Sequence, residues 1–197
     1  MSSEDRAGTN PIRTYDFSQK LHICLIYNGE RDRRAAMQQF LAAGARLGDK
    51  VSYFGYASSK ADVLALLEES GTDARALDAA GRLEYLSTAA AYHPDGTFAK
   101  EAMWQRLRGM AQQAYHDGFG DWRVTGEMEW ALQHVPGSEQ LVAYEAGLNG
   151  LFDRPCAVVC QYHAARFHGA LLFDVLRVHP YLIARGSIVS NPYYEAA

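Results

Sequence analysis

Glu127 is the residue whose type and position best suit ligand binding or catalysis. It lies in the segment Thr125-Gly126-Glu127-Met128-Glu129-Trp130, at the end of a predicted strand. A carboxylate at the carboxyl end of a strand can orient a ligand through hydrogen bonds or act as a general base. A structural role is equally well supported, in which Glu127 caps a helix or forms a salt bridge with Arg123 or Arg166.

Further polar and aromatic side chains follow the predicted strands and are candidates for the same site. The candidate ligand-binding residues besides Glu127 are Trp130, Gln161, Tyr162, Tyr27, Glu30 and His163. Carboxylate and amide groups would orient a small molecule, and the aromatic rings would cover its apolar part. Aromatic residues also pack ordinary cores, and His163 also suits a turn cap, so this set permits a binding site without requiring one. No residue is assigned a catalytic role.

The segment between the first strand and the first helix, residues 27–32, disfavours nucleotide hydrolysis. A phosphate-binding loop needs several glycines and a Lys-Ser/Thr pair, whose groups cradle the phosphates. This segment has one glycine and no lysine, and it carries Glu30 and Asp32 where an anion would dock. A triphosphate at this helix N-terminus would be repelled by the like charge.

The three cysteines and seven histidines show no metal-binding spacing in the sequence. Cys156 and Cys160 lie on a predicted strand, where residues four apart are separated by about 13 Å, too far to share a metal ion. No two histidines have the spacing of an HExxH motif, and His22 is expected to anchor the backbone where a strand begins. With Cys24, the cysteines are typical of buried free thiols in a reducing compartment. We predict no metal site and no cofactor.

Alternating apolar strands and amphipathic helices must position the candidate residues. The near-continuous apolar run 21–27 is typical of a parallel strand buried on both faces. Further strands are predicted over 51–56, 83–86, 122–125 and 156–160, and helices over 32–47, 60–70, 74–80, 98–117 and 168–177 and from the capping residue Ser138 onward. The segments 181–184 and 187–189 predict a C-terminal hairpin. The fold class is therefore α/β, with a mainly parallel central sheet flanked by helices and ligands bound at the carboxyl ends of its strands.

Length and charge limit the classes of function. The 197 residues suit a flexible N-terminal tail over 1–18 and a single domain over 19–197. A net charge of −4 without clustered Lys and Arg disfavours direct nucleic-acid binding. No apolar stretch reaches the ~18 residues of a membrane span, and the polar N-terminus has no secretory signal pattern. These features predict a cytoplasmic protein that does not associate with a membrane.

Several separate sequence blocks, in the same order along about residues 20–195, resemble the MEDS family, the methanogen/methylotroph sensory domain. The blocks are His22-Ile23-Cys24-Leu25, Val124-Thr125-Gly126-Glu127-Met128-x-Trp130, Pro136-Gly137-Ser138-Glu139, Tyr144-Glu145-x-x-Leu148-Asn149, Cys160-Gln161-Tyr162, Phe167 and Asn191-Pro192-Tyr193-Tyr194. The resemblance implies a RecA/KaiC-like three-layer sandwich without the phosphate loop. It also implies a sensory role for small hydrocarbon derivatives, with output through a DNA-binding, kinase or anti-sigma-type module.

The leading hypothesis is a non-catalytic sensory domain that binds a small organic molecule and relays a signal to a regulatory protein partner or a fused output module. This chain has no recognisable helix-turn-helix, kinase or antagonist segment of its own. A homodimer is expected only by analogy with ATPases of this fold. Two alternatives stay open. One is an enzyme with Glu127 as general base, assisted by His163, and the other is a docking or assembly protein that binds no ligand.

Overall fold

A seven-stranded sheet forms the centre of the computed structural model, which describes residues 11–196. The strands are β1 (Lys20–Tyr27), β2 (Lys50–Gly55), β3 (Leu83–Ser87), β4 (Trp122–Glu127), β5 (Cys156–His163), β6 (Tyr181–Ala184) and β7 (Ser187–Ser190). Their order is β3-β2-β4-β5-β1-β6-β7, and only the β6–β7 pair is antiparallel. The predicted α/β class, the mainly parallel sheet and the C-terminal hairpin are confirmed.

Helices cover both faces of the sheet. They are α1 (Glu30–Leu47), α2 (Lys60–Glu68), α3 (Ala74–Ala79), α4 (Thr88–Tyr92), α5 (Lys100–His116), α6 (Leu141–Leu148) and α7 (Gly169–Val178). Buried side chains of α1, α2 and α3 form one apolar core, and those of α4 to α7 form a second. We call these sides the α1 face and the α5 face of the sheet.

The central strands explain why the sequence pattern predicted the sheet. Seven consecutive residues of β5, Cys156–Tyr162, are buried, because both faces of a central parallel strand are covered by helices. Successive side chains of a strand point to opposite faces, so Gln161 and Tyr162 must point to different cores. This alternation separates residues that are neighbours in the sequence.

Ser138 does not cap a helix, contrary to the prediction. Residues Ser138–Gln140 form a 3-10 turn without a side-chain cap, and α6 begins at Leu141. Gly137 before this turn has a φ of 90°, and a Cβ there would lie 1.9 Å from the carbonyl oxygen of Phe98. The close approach to Phe98 belongs to a tight turn, and α6 begins after it, at Leu141.

Part of the predicted tail over 1–18 packs against the domain within residues 11–18, whereas residues 1–10 lie outside the described residues. Ile12 and Phe17 are buried in the core of the α1 face. The N–H of Ile12 donates to the carbonyl of Gly186 at 3.2 Å. Two isolated apolar residues have no periodicity, so the sequence pattern gave no signal for this packing.

Among the helices within residues 11–196, none is long and apolar enough to cross a membrane.

Candidate functional site

A buried network around Arg33 lies at the carboxyl ends of β1, β2, β4 and β5. The Nε of Arg33 donates to the carboxylate of Glu30 at 2.8 Å, and Nη2 of Arg33 donates to the same carboxylate. Nη1 donates to Glu127 and to Gln161, both at 3.1 Å. Nη2 donates further to Ser58 at 3.1 Å. Arg33 thus connects α1 to three strand ends, and all its nitrogens are engaged.

Glu127 accepts hydrogen bonds on both carboxylate oxygens. Oε1 accepts from the hydroxyl of Tyr53 at 2.7 Å and from Arg33. Oε2 accepts from the backbone N–H groups of residues 56, 57 and 58 at 2.8, 2.6 and 3.3 Å. Gly55 makes this loop possible, because a Cβ there would lie 2.2 Å from the carbonyl oxygen of Ser58. The loop after β2 therefore wraps the carboxylate.

These contacts set the protonation state of Glu127. Burial alone would raise its pKa, but hydrogen bonds from Ser58, Tyr53 and Ala57 and the charge of Arg33 outweigh burial and hold the pKa below its ordinary value. With five donors on an ionised carboxylate, Glu127 has little capacity left to accept a substrate proton. Its contacts favour the structural alternative over a general base.

The salt bridge of Glu127 is formed with Arg33, so the predicted partners were wrong. Arg123 is buried and pairs with Asp49 at 2.6 Å, whereas Arg166 pairs with Glu129 at 3.4 Å.

A cleft of about 410 Å³ borders the Arg33 network. Its lining residues are Tyr27, Glu30, Arg33, Arg34, Ala57, Ser58, Asp62, Glu127, Glu129 and His163. The ring of Tyr27 packs edge-on against His163, with centroids 5.0 Å apart. The lining holds four carboxylates and two guanidinium groups, so acidic charge is in excess. An anionic ligand is disfavoured there.

The structure brings together five of the seven predicted site residues. Tyr27, Glu30, Glu127 and His163 line the cleft, and Gln161 lies beneath it, bonded to Arg33.

Trp130 and Tyr162 lie on the opposite side of the sheet. Trp130 stacks on Tyr92 with centroids 4.8 Å apart, deep in the core of the α5 face. Tyr162 donates its hydroxyl to Glu145 on the same face. They do not reach the cleft, because strand alternation and the turn after β4 direct them away from it.

Arg33 was missed, although the sequence held a signal for it. It lies among the consecutive charged residues 30–34 at the start of α1. Arg33 nevertheless shares the helical spacing of the buried residues Met37 and Phe40 and belongs to the buried stripe of α1. A cation on an apolar stripe needs a buried anionic partner, and Glu127 supplies it.

A second cluster, on the α5 face, unites four side chains from distant parts of the sequence. His22 (β1), Glu145 (α6), Cys160 (β5) and His179 (after α7) are all buried, and one donor atom of each lies within 4.8 Å of the others. Glu145 Oε2 lies 3.0 Å from His22 Nε2, 3.2 Å from Cys160 Sγ and 3.6 Å from His179 Nε2. His22 contacts side chains here, so its predicted backbone role was wrong. We call these four residues the His/Glu/Cys cluster.

Burial determines the protonation of this cluster. Burial, with the neighbouring His22, lowers the pKa of His179 to about 3, so its imidazole is neutral near pH 7. Burial and Glu145 both raise the pKa of the Cys160 thiol. For Glu145, burial would raise the pKa, but the hydrogen bond with His22 outweighs it and the pKa lies below its ordinary value.

Comparison with known families identifies the chain. The sequence model described as "MEDS: MEthanogen/methylotroph, DcmR Sensory domain" matches residues 21–180. The chain belongs to the MEDS family. The family resemblance predicted from separate sequence blocks is thereby confirmed, and with it a sensory or regulatory class of protein.

A curated relative of this MEDS chain is the transcriptional repressor DcmR of Methylorubrum extorquens. It is 26% identical over 179 residues, which cover 90% of the MEDS chain and 64% of the repressor. The chain thus spans less than two thirds of the length of that relative.

Solved structures share the fold of the MEDS chain. The KaiC-like protein PH0186 of Pyrococcus horikoshii OT3 has a TM-score of 0.58 at 11% identity, covering 82% of this chain and 69% of that one. The flagellar accessory protein FlaH of Methanocaldococcus jannaschii has a TM-score of 0.56 at 11% identity, covering 95% and 82%. The uncharacterized protein PH0321 of Pyrococcus horikoshii, in complex with an unknown peptide, has a TM-score of 0.55 at 13% identity, covering 89% and 83%. These likenesses concern the fold alone and confirm the predicted KaiC-like architecture.

Proposed function

We propose that this chain is a non-catalytic sensory domain that binds a small, uncharged or cationic organic molecule in the cleft beside Arg33. It relays binding to a regulatory protein partner or a fused output module in the cytoplasm. The family description supports the sensory part of this proposal. The transcriptional repressor among the relatives supports a regulatory output. The buried free thiols Cys24, Cys156 and Cys160 fit a reducing compartment.

The observation that carries the position of the ligand site is the Arg33–Glu127 pair. It lies at the carboxyl ends of the central strands, where ligands of open α/β sheets bind. Phosphate binding would need free N–H donors, but Arg33 and the backbone N–H groups of residues 56–58 are already engaged. The excess of carboxylates in the cleft favours a ligand with hydrogen-bond donors or positive charge.

Glu30 is the point at which a ligand would couple to the fold. Its side chain is 59% exposed and also holds the buried Arg33. A ligand that donates to Glu30 competes with Arg33 for the carboxylate. The bonds of Arg33 to Glu127 and Gln161 then change, and these bonds join α1 to β4 and β5. Ligand binding in the cleft therefore changes how α1 is held against the sheet.

Thermal-shift and calorimetric titrations test this function with ATP-Mg²⁺ and a panel of small neutral alcohols, amides and amines. We expect a member of the panel to raise the melting temperature, and ATP-Mg²⁺ to have no effect. Glu30→Gln and Tyr27→Ala should weaken that ligand by about tenfold or more, equivalent to the loss of roughly 1.4 kcal/mol. The matched control Glu101→Gln changes an exposed acid outside the cleft and should not alter affinity. Stabilisation by ATP-Mg²⁺, or unchanged affinity in both cleft variants, would contradict the proposal.

A further inference from the structure

The His/Glu/Cys cluster on the α5 face combines two imidazoles, a carboxylate and a thiol in one buried volume. We propose that His22, Glu145, Cys160 and His179 bind one divalent transition-metal ion, for which Zn²⁺ is the best match. Mixed nitrogen, oxygen and sulfur donors suit this borderline-soft ion, whereas Mg²⁺ and Ca²⁺ prefer oxygen alone. The site is separate from the cleft, because it lies on the other face of the sheet.

The tautomer of His22 directs a lone pair into the cluster. Asn149 donates through Nδ2 to the carbonyl of Val178 at 2.8 Å, which leaves its Oδ1 facing His22. This oxygen lies 3.0 Å from His22 Nδ1 and can only accept, so Nδ1 carries a proton. In a neutral imidazole, Nε2 is then the atom free to bind a metal ion.

His179 is oriented in the same way. Its Nδ1 lies 2.6 Å from the carbonyl oxygen of Val175, which likewise can only accept. Its Nε2 is fully buried and finds no hydrogen-bond partner among residues 11–196. That nitrogen instead faces the Glu145 carboxylate at 3.6 Å. A lone pair opposite a carboxylate oxygen is repulsive unless a cation lies between them.

A single proton cannot satisfy the cluster. A proton shared by His22 and Glu145 accounts for their 3.0 Å separation, but it leaves His179 Nε2 unpartnered. A divalent cation at the centre of the cluster can be coordinated by all four side chains at once. The thiol of Cys160 then loses its proton to solvent, and the two negative ligands balance the two positive charges. A buried charge that is neutralised in this way carries a smaller desolvation cost.

The spacing of the donors fits tetrahedral coordination. Ligand bonds of about 2.0–2.3 Å place tetrahedral donor atoms about 3.3–3.7 Å apart. Glu145 Oε2 already lies 3.0, 3.2 and 3.6 Å from the other donors, and Cys160 Sγ lies 3.7 Å from His22 Nε2. All pairs lie within 4.8 Å, so coordination requires shifts of about 1 Å at most.

The groups around the donors resemble an outer coordination shell. Metal-bound histidines usually donate their other N–H to a carbonyl or carboxylate oxygen, which fixes the ring. Asn149 and the carbonyl of Val175 play this part for the two histidines. The hydroxyl of Tyr162 donates to Glu145 Oε1 and leaves Oε2 for the metal.

A metal ion here would join β1, β5, α6 and the segment between α7 and β6. Cys160 and Tyr162 flank Gln161, which is bonded to Arg33 beneath the cleft on the other face. The metal would therefore stiffen the strand on which the sensory network rests. Because structural metal binding contributes directly to folding free energy, the ion would also stabilise the folded chain.

Elemental analysis tests this proposal on the whole chain, produced in zinc-supplemented medium and purified without chelators. We expect one zinc ion per chain, and a lower melting temperature after unfolding and refolding with a chelator. Cys160→Ser and His179→Gln should lower the zinc content or raise its rate of loss to a chelator. Cys156→Ser is the matched control, because Cys156 is also a buried thiol of β5 but lies outside the cluster. It should retain the zinc of the wild type.

Refolding with Co²⁺ keeps the test decisive if a variant fails to fold. The wild type should show visible ligand-field bands of tetrahedral Co²⁺ and a thiolate-to-cobalt charge-transfer band in the near ultraviolet. Cys160→Ser should lose the charge-transfer band, and Cys156→Ser should keep it. Absence of zinc in the wild type, together with no spectral or thermal response to Zn²⁺ or Co²⁺, would overturn the proposal. The same conclusion would follow if Cys160→Ser left the zinc content and the charge-transfer band unchanged.

Discussion

The Arg33–Glu127 pair places two opposite charges in the interior, where each is stable only because of its partners. Both side chains are buried, and every oxygen of Glu127 and every nitrogen of Arg33 is hydrogen-bonded. A buried ion pair contributes little compared with an apolar pair of the same volume. Removal of one partner is costly, because it leaves the other charge uncompensated.

Glu127→Gln should therefore lower the free energy of unfolding by about 3–5 kcal/mol near pH 7. Urea denaturation measures this difference. Glu69→Gln serves as the control because it breaks an exposed pair with Arg34, and it should cost less than about 1 kcal/mol. Similar losses of unfolding free energy in the two variants would contradict a buried Glu127 carboxylate that is paired with Arg33.

The same variant has a defined effect on the pH dependence of stability. The pKa of Glu127 in the folded protein lies below its ordinary value of 4.5. Its contribution is therefore fully present above pH 4.5 and is lost as the pH falls through the folded pKa. Wild-type stability should decline more steeply than that of Glu127→Gln below about pH 4.5 in urea titrations at stepped pH. Parallel curves would contradict the depressed pKa.

The strands decide which residues can act together at the scale of secondary structure. On β5, Gln161 joins the Arg33 network, while Cys160 belongs to the His/Glu/Cys cluster and Tyr162 donates to Glu145 of that cluster. The turn after β2 also restricts which residue type can occupy one of its positions. The backbone there folds so closely that only a residue without Cβ fits at Gly55.

Gly55→Ala should move the loop 56–58 away from Glu127, because the new Cβ would lie 2.2 Å from a backbone oxygen that cannot rotate aside. We expect a loss of about 1–3 kcal/mol, the usual cost of overpacking. Gly109→Ala is the contrasting substitution, in open space on α5, and should raise stability by about 0.5–1 kcal/mol. The melting temperatures of both variants give the comparison. A Gly55→Ala variant with the melting temperature of the wild type would contradict the close-packed turn.

For the whole molecule, the segment before β1 completes the core of the α1 face. Ile12 is fully buried, and Phe17 packs against Phe40 with ring centroids 5.8 Å apart. The guanidinium of Arg123 lies 3.8 Å from the centroid of Phe17, so this segment also covers a buried charge. The packed unit therefore includes residues ahead of the first strand.

Ile12→Ala should lower the free energy of unfolding by about 2–5 kcal/mol, the range for a large-to-small change in a core. Arg13→Ala, at the exposed neighbouring position, should stay within about 0.5 kcal/mol of the wild type. Chemical denaturation measures both values. Equal stability of the two variants would mean that this segment does not belong to the core.

The sequence by itself determined the α/β class, the strands of the sheet and the absence of a phosphate loop. These features depend on local sequence, since apolar periodicity within a short segment indicates the type of element and the face that it buries. The positions of Glu127 and Gln161 at strand ends could also be predicted. The blocks resembling the MEDS family added the sensory class, which composition and periodicity do not encode.

Only the tertiary structure decided which residues meet. Arg33 reaches Glu127 because α1 packs against β2 and β4, and His22 reaches Cys160 because β1 lies next to β5. Strand order and helix packing set these contacts between residues more than 90 positions apart. Local patterns carry no information on strand order, because the same apolar strand can occupy several places in a sheet. The sequence therefore predicted where a site would lie, and the packing of distant elements selected the residues that form it.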